Sequence, residues 1–292
     1  MIDIKTFEEL TLVADKTGKK IYEIAQEIEA KSLEISVEDV RFKVKNTLNE
    51  MKNAINRGLY SEEPSFSKMV GTDCKKLKER YKNHNTLFCS AFQKILLYAF
   101  ATIEENSRMG KIVACPTAGS CGIVPAVLIA LAESMHANEE KQINALITAG
   151  FIGKVISNKM ALAGAVMGCQ GECGVASAMA AASVIELSNG SISQTLNAAA
   201  LALKNVMGLV CDPVAGLVEV PCVKRNPFLA MHATVAAELA QAGIESIIPI
   251  DEVVDATRQV GQLMSVSLKE SSEAGLARTK TGIRIAESLK NQ

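Results

Sequence analysis

The feature that most limits what this chain can fold into is a helical apolar rhythm that runs nearly end to end and lapses in three places. Ile21, Ile24 and Ile28 form one stripe. Val37, Val40, Val44, Leu48 and Met51 form another, opened by Ser36 with Asp39 as a capping-box variant. Ile143, Leu146 and Ile147 continue the pattern. Ser191 with Gln194 caps a stretch carrying Leu196, Ala199, Ala200, Leu203 and Met207, and Pro249 with Asp251 leads into Val253, Thr257, Val260 and Met264. Strand-like alternation is almost absent, so the spacing predicts a mainly α fold. Aromatic residues are only 4% and there is no Trp, whereas small residues abound, as in Ala176–Ala182. Small side chains let helices approach closely, which fits a compact all-helical domain.

The charged, regularly amphipathic residues 1–63 are expected to form a helical N-terminal subdomain, with Tyr60-Ser-Glu-Glu-Pro64 as a linker. Residues 64–292 then carry all three lapses, and the two parts read equally as one continuous domain. Ser265–Gln292 is polar and is expected to be partly mobile. No period of 20–50 residues repeats, which argues against a solenoid.

Lys+Arg 31 against Asp+Glu 32 leaves a net charge of -1, so nothing favours nucleic acid or an anionic membrane surface. The first residues lack the apolar core of a signal peptide, and the longest apolar run, Cys121–Ala132, is too short to span a bilayer and contains Pro125. A cytoplasmic protein is the expectation. There the eight cysteines are explained by metal ligation, catalysis or plain burial rather than by disulfides.

Six of those eight cysteines fall in the three lapses, Lys111–Pro125, Gly164–Gly174 and Gly208–Pro227. In the last, Pro213, Gly216, Pro221 and Pro227 exclude a continuous helix. Cysteines eleven residues apart on such backbone, Cys211 and Cys222, suit ligation at different corners of a metal cluster. Cys169 lies among glycines 164, 168, 171 and 174, which let main chain approach a bulky inorganic core. The bland alternative stays open: no C-x2-C pair is present, so buried thiols account for the same spacing, and Cys173 is a competing ligand or simply buried.

Val210-Cys-Asp-Pro-Val-Ala-Gly-Leu-Val-Glu-Val-Pro-Cys-Val-Lys-Arg-Asn226, Gly168-Cys-Gln-Gly-Glu172 and Cys115-Pro-Thr-Ala-Gly-Ser-Cys-Gly122 closely resemble the alpha chain of bacterial iron–sulfur L-serine dehydratases, from about Phe7 to Gly282. The resemblance implies an all-helical catalytic domain and a [4Fe–4S] cluster bound by Cys169, Cys211 and Cys222. It also implies elimination of water from L-serine to give pyruvate and ammonia, without pyridoxal phosphate. A separate beta subunit is expected to complete the site in a hetero-oligomer. Pro116–Gly122 precedes an apolar helix, so Thr117, Gly119 and Ser120 are expected to bind the substrate carboxylate, although an ordinary helix cap explains them too. Arg225 and Lys224 follow Cys222 closely and are candidates to pair with that carboxylate or to act in catalysis. Glu172 and Asp212 flank cluster cysteines and are candidates to orient groups or move a proton. His136 reads as a surface residue and His232 as a possible neighbour of the site; nothing singles out the base for the α-proton.

Departures from the family pattern leave the substrate open. Relatives carry Ser-Ile-Ser-Gly where this chain has Ala161-Leu-Ala-Gly164, and Gly-Gly-Asp-Ala where it has Val70-Gly-Thr-Asp-Cys74. An Asn-Ala pair is here Asn106-Ser107. Single-chain relatives end in a cysteine that can cap the open iron; this sequence ends Ser-Leu-Lys-Asn-Gln, so that self-capping is expected to be absent. Alternatives are an iron–sulfur lyase acting on L-threonine or L-cysteine, or a non-catalytic iron–sulfur sensor.

Overall fold

The computed structural model describes residues 4–83 and 86–291; Met1–Asp3, His84, Asn85 and Gln292 lie outside the described residues. Among the described residues there are thirteen α-helices and no strand. They are α1 (Phe7–Thr17), α2 (Ile21–Leu33), α3 (Val37–Tyr60), α4 (Asp73–Lys82), α5 (Ser90–Ser107), α6 (Ile123–Ser134) and α7 (Glu139–Ser157). These are followed by α8 (Gly164–Met167), α9 (Val175–Leu187), α10 (Ile192–Lys204), α11 (Cys222–Gln241), α12 (Ile250–Leu263) and α13 (Lys280–Lys290). The mainly α reading therefore holds. No helix among the described residues is long and apolar enough to cross a membrane.

The caps form as the spacing predicts. Ser36 Oγ accepts from Asp39 N at 3.0 Å, and Asp39 Oδ2 accepts in return from Ser36 N at 3.3 Å, opening α3. Ser191 and Gln194 open α10 with the same reciprocal pair, at 3.1 and 2.9 Å. Each pair satisfies two N–H groups that the helix itself cannot.

The alanine-rich α9 is the axis of the fold. Apart from Glu186 all of it is buried, and it packs against α6, α7, α10 and α11. Its short side chains are what let four helices close on one. A single apolar cluster extends from Ile4 through Phe7, Leu48 and Met51 to Ile250, Val253 and Val254, so residues on both sides of Tyr60 share one core. At about 1.5–3 kcal/mol for each large side chain removed from water, this burial is the main force holding the site's scaffold rigid.

Two local features depart from the expectations. α11 starts at Cys222 and contains Pro227, so the irregular backbone ends earlier than four prolines and glycines suggested. Pro227 sits early in the helix, where its missing N–H costs only the single bond to the carbonyl four residues back. Residues 265–291 contain two short 3-10 turns and α13, opened by Thr279 Oγ1 accepting from Gly282 N at 3.1 Å. The polarity of this stretch is used locally: Ser272 Oγ donates to Pro213 O at 2.7 Å, and Leu276 N to Asp212 Oδ2 at 2.8 Å.

Candidate functional site

The three irregular segments meet at the N-terminal end of α9. A π-helical turn, Gln170–Gly174, leads into that helix with Cys169 just before it. Such turns widen the backbone and recur at functional sites. The fully buried Gln170 joins the second segment to the third: its N–H donates to Leu209 O at 3.1 Å, and its Oε1 accepts from Gly208 N at 2.9 Å. Its Nε2 donates to Thr257 O at 3.2 Å, fixing α12 as well. These bonds bring Cys211 beside Cys169. The two sulfurs and a carboxylate oxygen of Glu172 all lie within 4.8 Å of one another.

Asn226 joins the first segment to the third. It is fully buried, accepts from Gly122 N at 2.9 Å, and donates to Gly119 O at 2.8 Å and Cys222 O at 3.0 Å. The 116–122 loop is thereby held against the start of α11. Cys222 is the first residue of that helix and Arg225 lies one turn on, so both face the same side. Arg225 Nη1 is 3.2 Å from Cys169 Sγ and 2.8 Å from Val210 O, and Nη2 is 2.9 Å from Asp212 Oδ1.

From the 116–122 loop Thr117 Oγ1 donates to Glu172 Oε1 and lies 3.0 Å from Ser120 Oγ. Ser120 itself is fully buried, its hydroxyl 3.3 Å from Cys115 O. The loop's N–H groups are not all free, since Gly122 N is already committed to Asn226. Gly119 is required by close approach: a Cβ there would fall 2.4 Å from Glu172 Oε1.

Burial pushes Glu172 up to about 7, with the charges of Cys169 and Glu270 adding and the Thr117 hydrogen bond opposing. Hydrogen bonds from the Cys173 and Cys211 thiols, with Arg225 beside them, hold the Cys169 thiol down at about 3. The donors move the other way: Cys211 and Cys173 are pushed up, first by their bonds to Cys169 and then by burial. Burial also pushes Cys222 up to about 12, with the Cys169 charge adding.

Other sequence candidates lie elsewhere. Lys224 Nζ is 2.6 Å from Asp73 Oδ2 at the start of α4. His232 Nε2 is 2.8 Å from Ala202 O, between α11 and α10, and His136 is exposed just beyond α6. Cys74, Cys115 and Cys121 are buried apart from this group, with burial first pushing Cys74 and Cys115 up to about 12, and Cys89 is exposed. Two residues that the sequence reading did not single out also shape the site. One is Asn226. The other is Glu270, whose N–H donates to Cys211 O at 2.7 Å next to the bridge between Cys211 and Lys269. No local pattern marks either, because their partners are distant in sequence.

The donor set fits a thiophilic metal group. Cys169, Glu172 and Cys211 bring one ligand atom each within 4.8 Å of one another, and Arg225 offsets thiolate charge at Cys169; Cys222 is buried and feels the Cys169 charge but lies outside that group. Beside them is a cradle that a side chain would fill: a Cβ on Gly164 would fall 2.9 Å from Glu172 Oε2 and 3.2 Å from Cys211 Sγ.

Residues 16–277 match the family described as "Serine dehydratase alpha chain". The chain is 40% identical over 282 residues to the L-serine dehydratase alpha chain of Peptoniphilus asaccharolyticus, covering 97% of each protein. It is 43% identical over 266 residues to the probable L-serine dehydratase alpha chain of Bacillus subtilis, covering 91% of this chain and 88% of that one. The L-serine dehydratase of Streptomyces coelicolor is 41% identical over 189 residues, 64% of this chain but 42% of that longer protein.

Proposed function

This chain belongs to the serine dehydratase alpha chain family, and on that premise we propose that it is the catalytic alpha subunit of an iron–sulfur L-serine ammonia-lyase. Cys169, Cys211 and Cys222 would hold a [4Fe–4S] cluster. When bound, that cluster supplies a Lewis-acidic iron without a protein thiolate, at which a hydroxyl becomes a competent leaving group. The observation that carries the reading is the convergence of Cys169, Glu172 and Cys211 within 4.8 Å, with Arg225 on the Cys169 sulfur.

The chain's own residues account for the rest of the chemistry. Thr117 and Gly119 would receive the substrate carboxylate, the Thr117 hydroxyl turning to it from Glu172, while the Ser120 hydroxyl is buried against Cys115 O and supports the turn from behind. The Arg225 guanidinium adds positive charge on the same side, oriented by Asp212. Glu172, at about 7, is suited to hold or return a proton near neutrality. Lys224 pairs with Asp73 at the start of α4 and has no contact with the cysteine group, so it takes no part in this scheme. Loss of the α-proton and of the hydroxyl as water leaves 2-aminoacrylate, which tautomerises to an imine and hydrolyses to pyruvate and ammonia. Pyridoxal phosphate has no part in this scheme. The name "alpha chain" on the relatives supports a separate beta chain as partner, and the near-zero net charge gives no support for nucleic-acid binding.

One observation keeps a second substrate in view: Ala161 and Ala163 precede Gly164 beside the site and offer no hydroxyl. The test is product formation by anaerobically purified protein co-expressed with its beta chain. The reading expects pyruvate from L-serine at a higher kcat/KM than 2-oxobutyrate from L-threonine or sulfide from L-cysteine. A preference for either of the others would replace the substrate, and no product from any would remove the lyase reading.

A further inference from the structure

Val218 stands at the substrate end of the site without a place in the core. It is partly buried, yet it belongs to neither apolar cluster of the described residues. Its side chain meets the 116–122 loop instead: the place where Gly119 lacks a Cβ is 3.4 Å from Val218 Cγ1 and 2.4 Å from Glu172 Oε1. Glu172 turns its other oxygen, Oε2, towards Gly164 and Cys211. The Glu172 carboxylate thus has the cysteines on one side and, on the other, a small space bounded by Thr117, Gly119 and Val218.

The loop that carries Val218 leaves it little freedom. Val214 N–H donates to Val220 O at 2.8 Å, Leu217 N–H to Val214 O at 3.2 Å, and Glu219 N–H to Leu217 O at 2.7 Å, so residues 214–220 close on themselves. The two neighbours of Val218 face elsewhere. The buried Glu219 carboxylate accepts from Ser65 Oγ at 2.7 Å, and Ser67 donates to the same oxygen, which ties the loop to residues 65–67. Leu217 lines a cleft of about 650 Å³ with Phe66 and Ile283. With the backbone fixed and a β-branched side chain stiff at χ1, the Val218 methyls cannot swing far from Gly119.

We propose that Val218 is a specificity-determining residue, whose Cγ1 methyl fills the room that a substituent on the substrate β-carbon would need. The inference rests on the lyase reading and narrows its substrate to L-serine. With the carboxylate at Thr117 and Gly119 and the hydroxyl directed to the cysteine side, the three-carbon skeleton runs past Glu172 and Val218. L-serine carries two hydrogens on its β-carbon. L-threonine replaces one of them with a methyl, which meets Val218. A pocket wall one methyl too close discriminates by about 10–200-fold, and a rigid hydrocarbon group supplies this without any polar contact.

The test uses holoenzyme co-expressed with the beta chain, as parent, Val218→Ala and Val218→Ile, each checked for folding by thermal melting and for iron content. kcat/KM is measured for L-serine as pyruvate formed, and for L-threonine as 2-oxobutyrate formed. Val218→Ala is expected to raise the L-threonine to L-serine ratio by about tenfold or more, chiefly by lowering KM for L-threonine. Val218→Ile, which adds bulk where the other variant removes it, is expected to raise KM for L-serine by about tenfold. An unchanged ratio in Val218→Ala, including equal loss on both substrates, would mark Val218 as a packing residue and overturn the proposal. So would a parent that uses L-threonine as well as it uses L-serine, since no selection would be left to explain. If Val218→Ala does not fold, Val218→Ile decides, and a KM for L-serine at the parent value overturns the proposal. If the parent acts on neither amino acid, the lyase reading has failed and this inference falls with it. If the parent selects L-serine and Val218→Ala selects it equally, only this inference fails.

Discussion

The Arg225 guanidinium lies 3.2 Å from Cys169 Sγ through one nitrogen and 2.9 Å from Asp212 Oδ1 through the other. One planar group thus ties a thiolate on the approach to α9 to a carboxylate on the segment before α11. Both ends are largely buried, with side-chain exposures of 16% for Arg225 and 5% for Asp212. Breaking a buried pair by removing one partner costs about 3–5 kcal/mol, because the other charge is stranded. Arg225→Ala should lose stability on that scale in denaturant unfolding. Arg225→Lys, which keeps charge but not the fork, should fold yet retain less iron per chain. Full iron retention in the lysine variant would show that the Cys169 contact is incidental.

Gly164→Ala separates the site from the fold. Gly164 opens α8 with no positive φ, so alanine suits its backbone and should favour the helix by about 0.5–1 kcal/mol. The added Cβ would nevertheless sit 2.9 Å from Glu172 Oε2 and 3.2 Å from Cys211 Sγ. Thermal stability close to the parent with a drop of about tenfold or more in kcat/KM is the expected result. Parent-like activity would mean that this space is not used.

Asn226 makes three buried hydrogen bonds that join the 116–122 loop to α11. Aspartate preserves its shape but cannot donate to Gly119 O and Cys222 O. Asn226→Asp should therefore destabilise the protein by roughly 2–3 kcal/mol, through unmet carbonyls and a buried charge. Chemical unfolding of the two proteins side by side checks this.

Glu104 gives a pH signature outside the group formed by Cys169, Glu172 and Cys211. Its carboxylate accepts from Asp73 N at 2.7 Å and Cys74 N at 3.4 Å, serving the start of α4 where Thr72 provides no side-chain cap. Burial raises it above the usual 4.5, and the Asp73 charge adds to the shift. The folded state thus holds this proton more tightly than the unfolded chain. Its contribution to stability is full below about 4.5 and is lost as pH rises through the folded value. Glu104→Gln keeps the acceptor oxygen without the charge. It should be more stable than the parent at neutral pH, and less sensitive to pH above 4.5; parallel stability–pH curves would refute the assignment.

The helices were legible because their evidence is local. Ser36 with Asp39, Ser191 with Gln194 and the apolar stripes each fit within a few turns and mark real helices, although α10 ends at Lys204 and α12 at Leu263, short of Met207 and Met264. The irregular segments were legible for the same reason, since glycine and proline punctuate them. Their internal limits were less so: Pro227 sits within α11, and α13 lies in a stretch whose polarity gave no apolar stripe to follow. At the site, proximity in sequence said nothing about Glu270, which reaches Cys211 across 59 residues of chain through one backbone bond of 2.7 Å. Lys224 shows the converse. It stands two residues after Cys222, yet the helix turns its amine to Asp73 at 2.6 Å.

The central claim is that Cys169, Cys211 and Cys222 hold an iron–sulfur cluster with one iron open to substrate. Iron and sulfide analysis, with EPR of the reduced protein before and after L-serine, tests it on anaerobic alpha chain co-purified with its partner. The account predicts about four irons and four sulfides per alpha chain, and a spectrum that changes on addition of L-serine. Protein without iron under those conditions, or a cluster retained unchanged in Cys169→Ser, Cys211→Ser and Cys222→Ser, would contradict it.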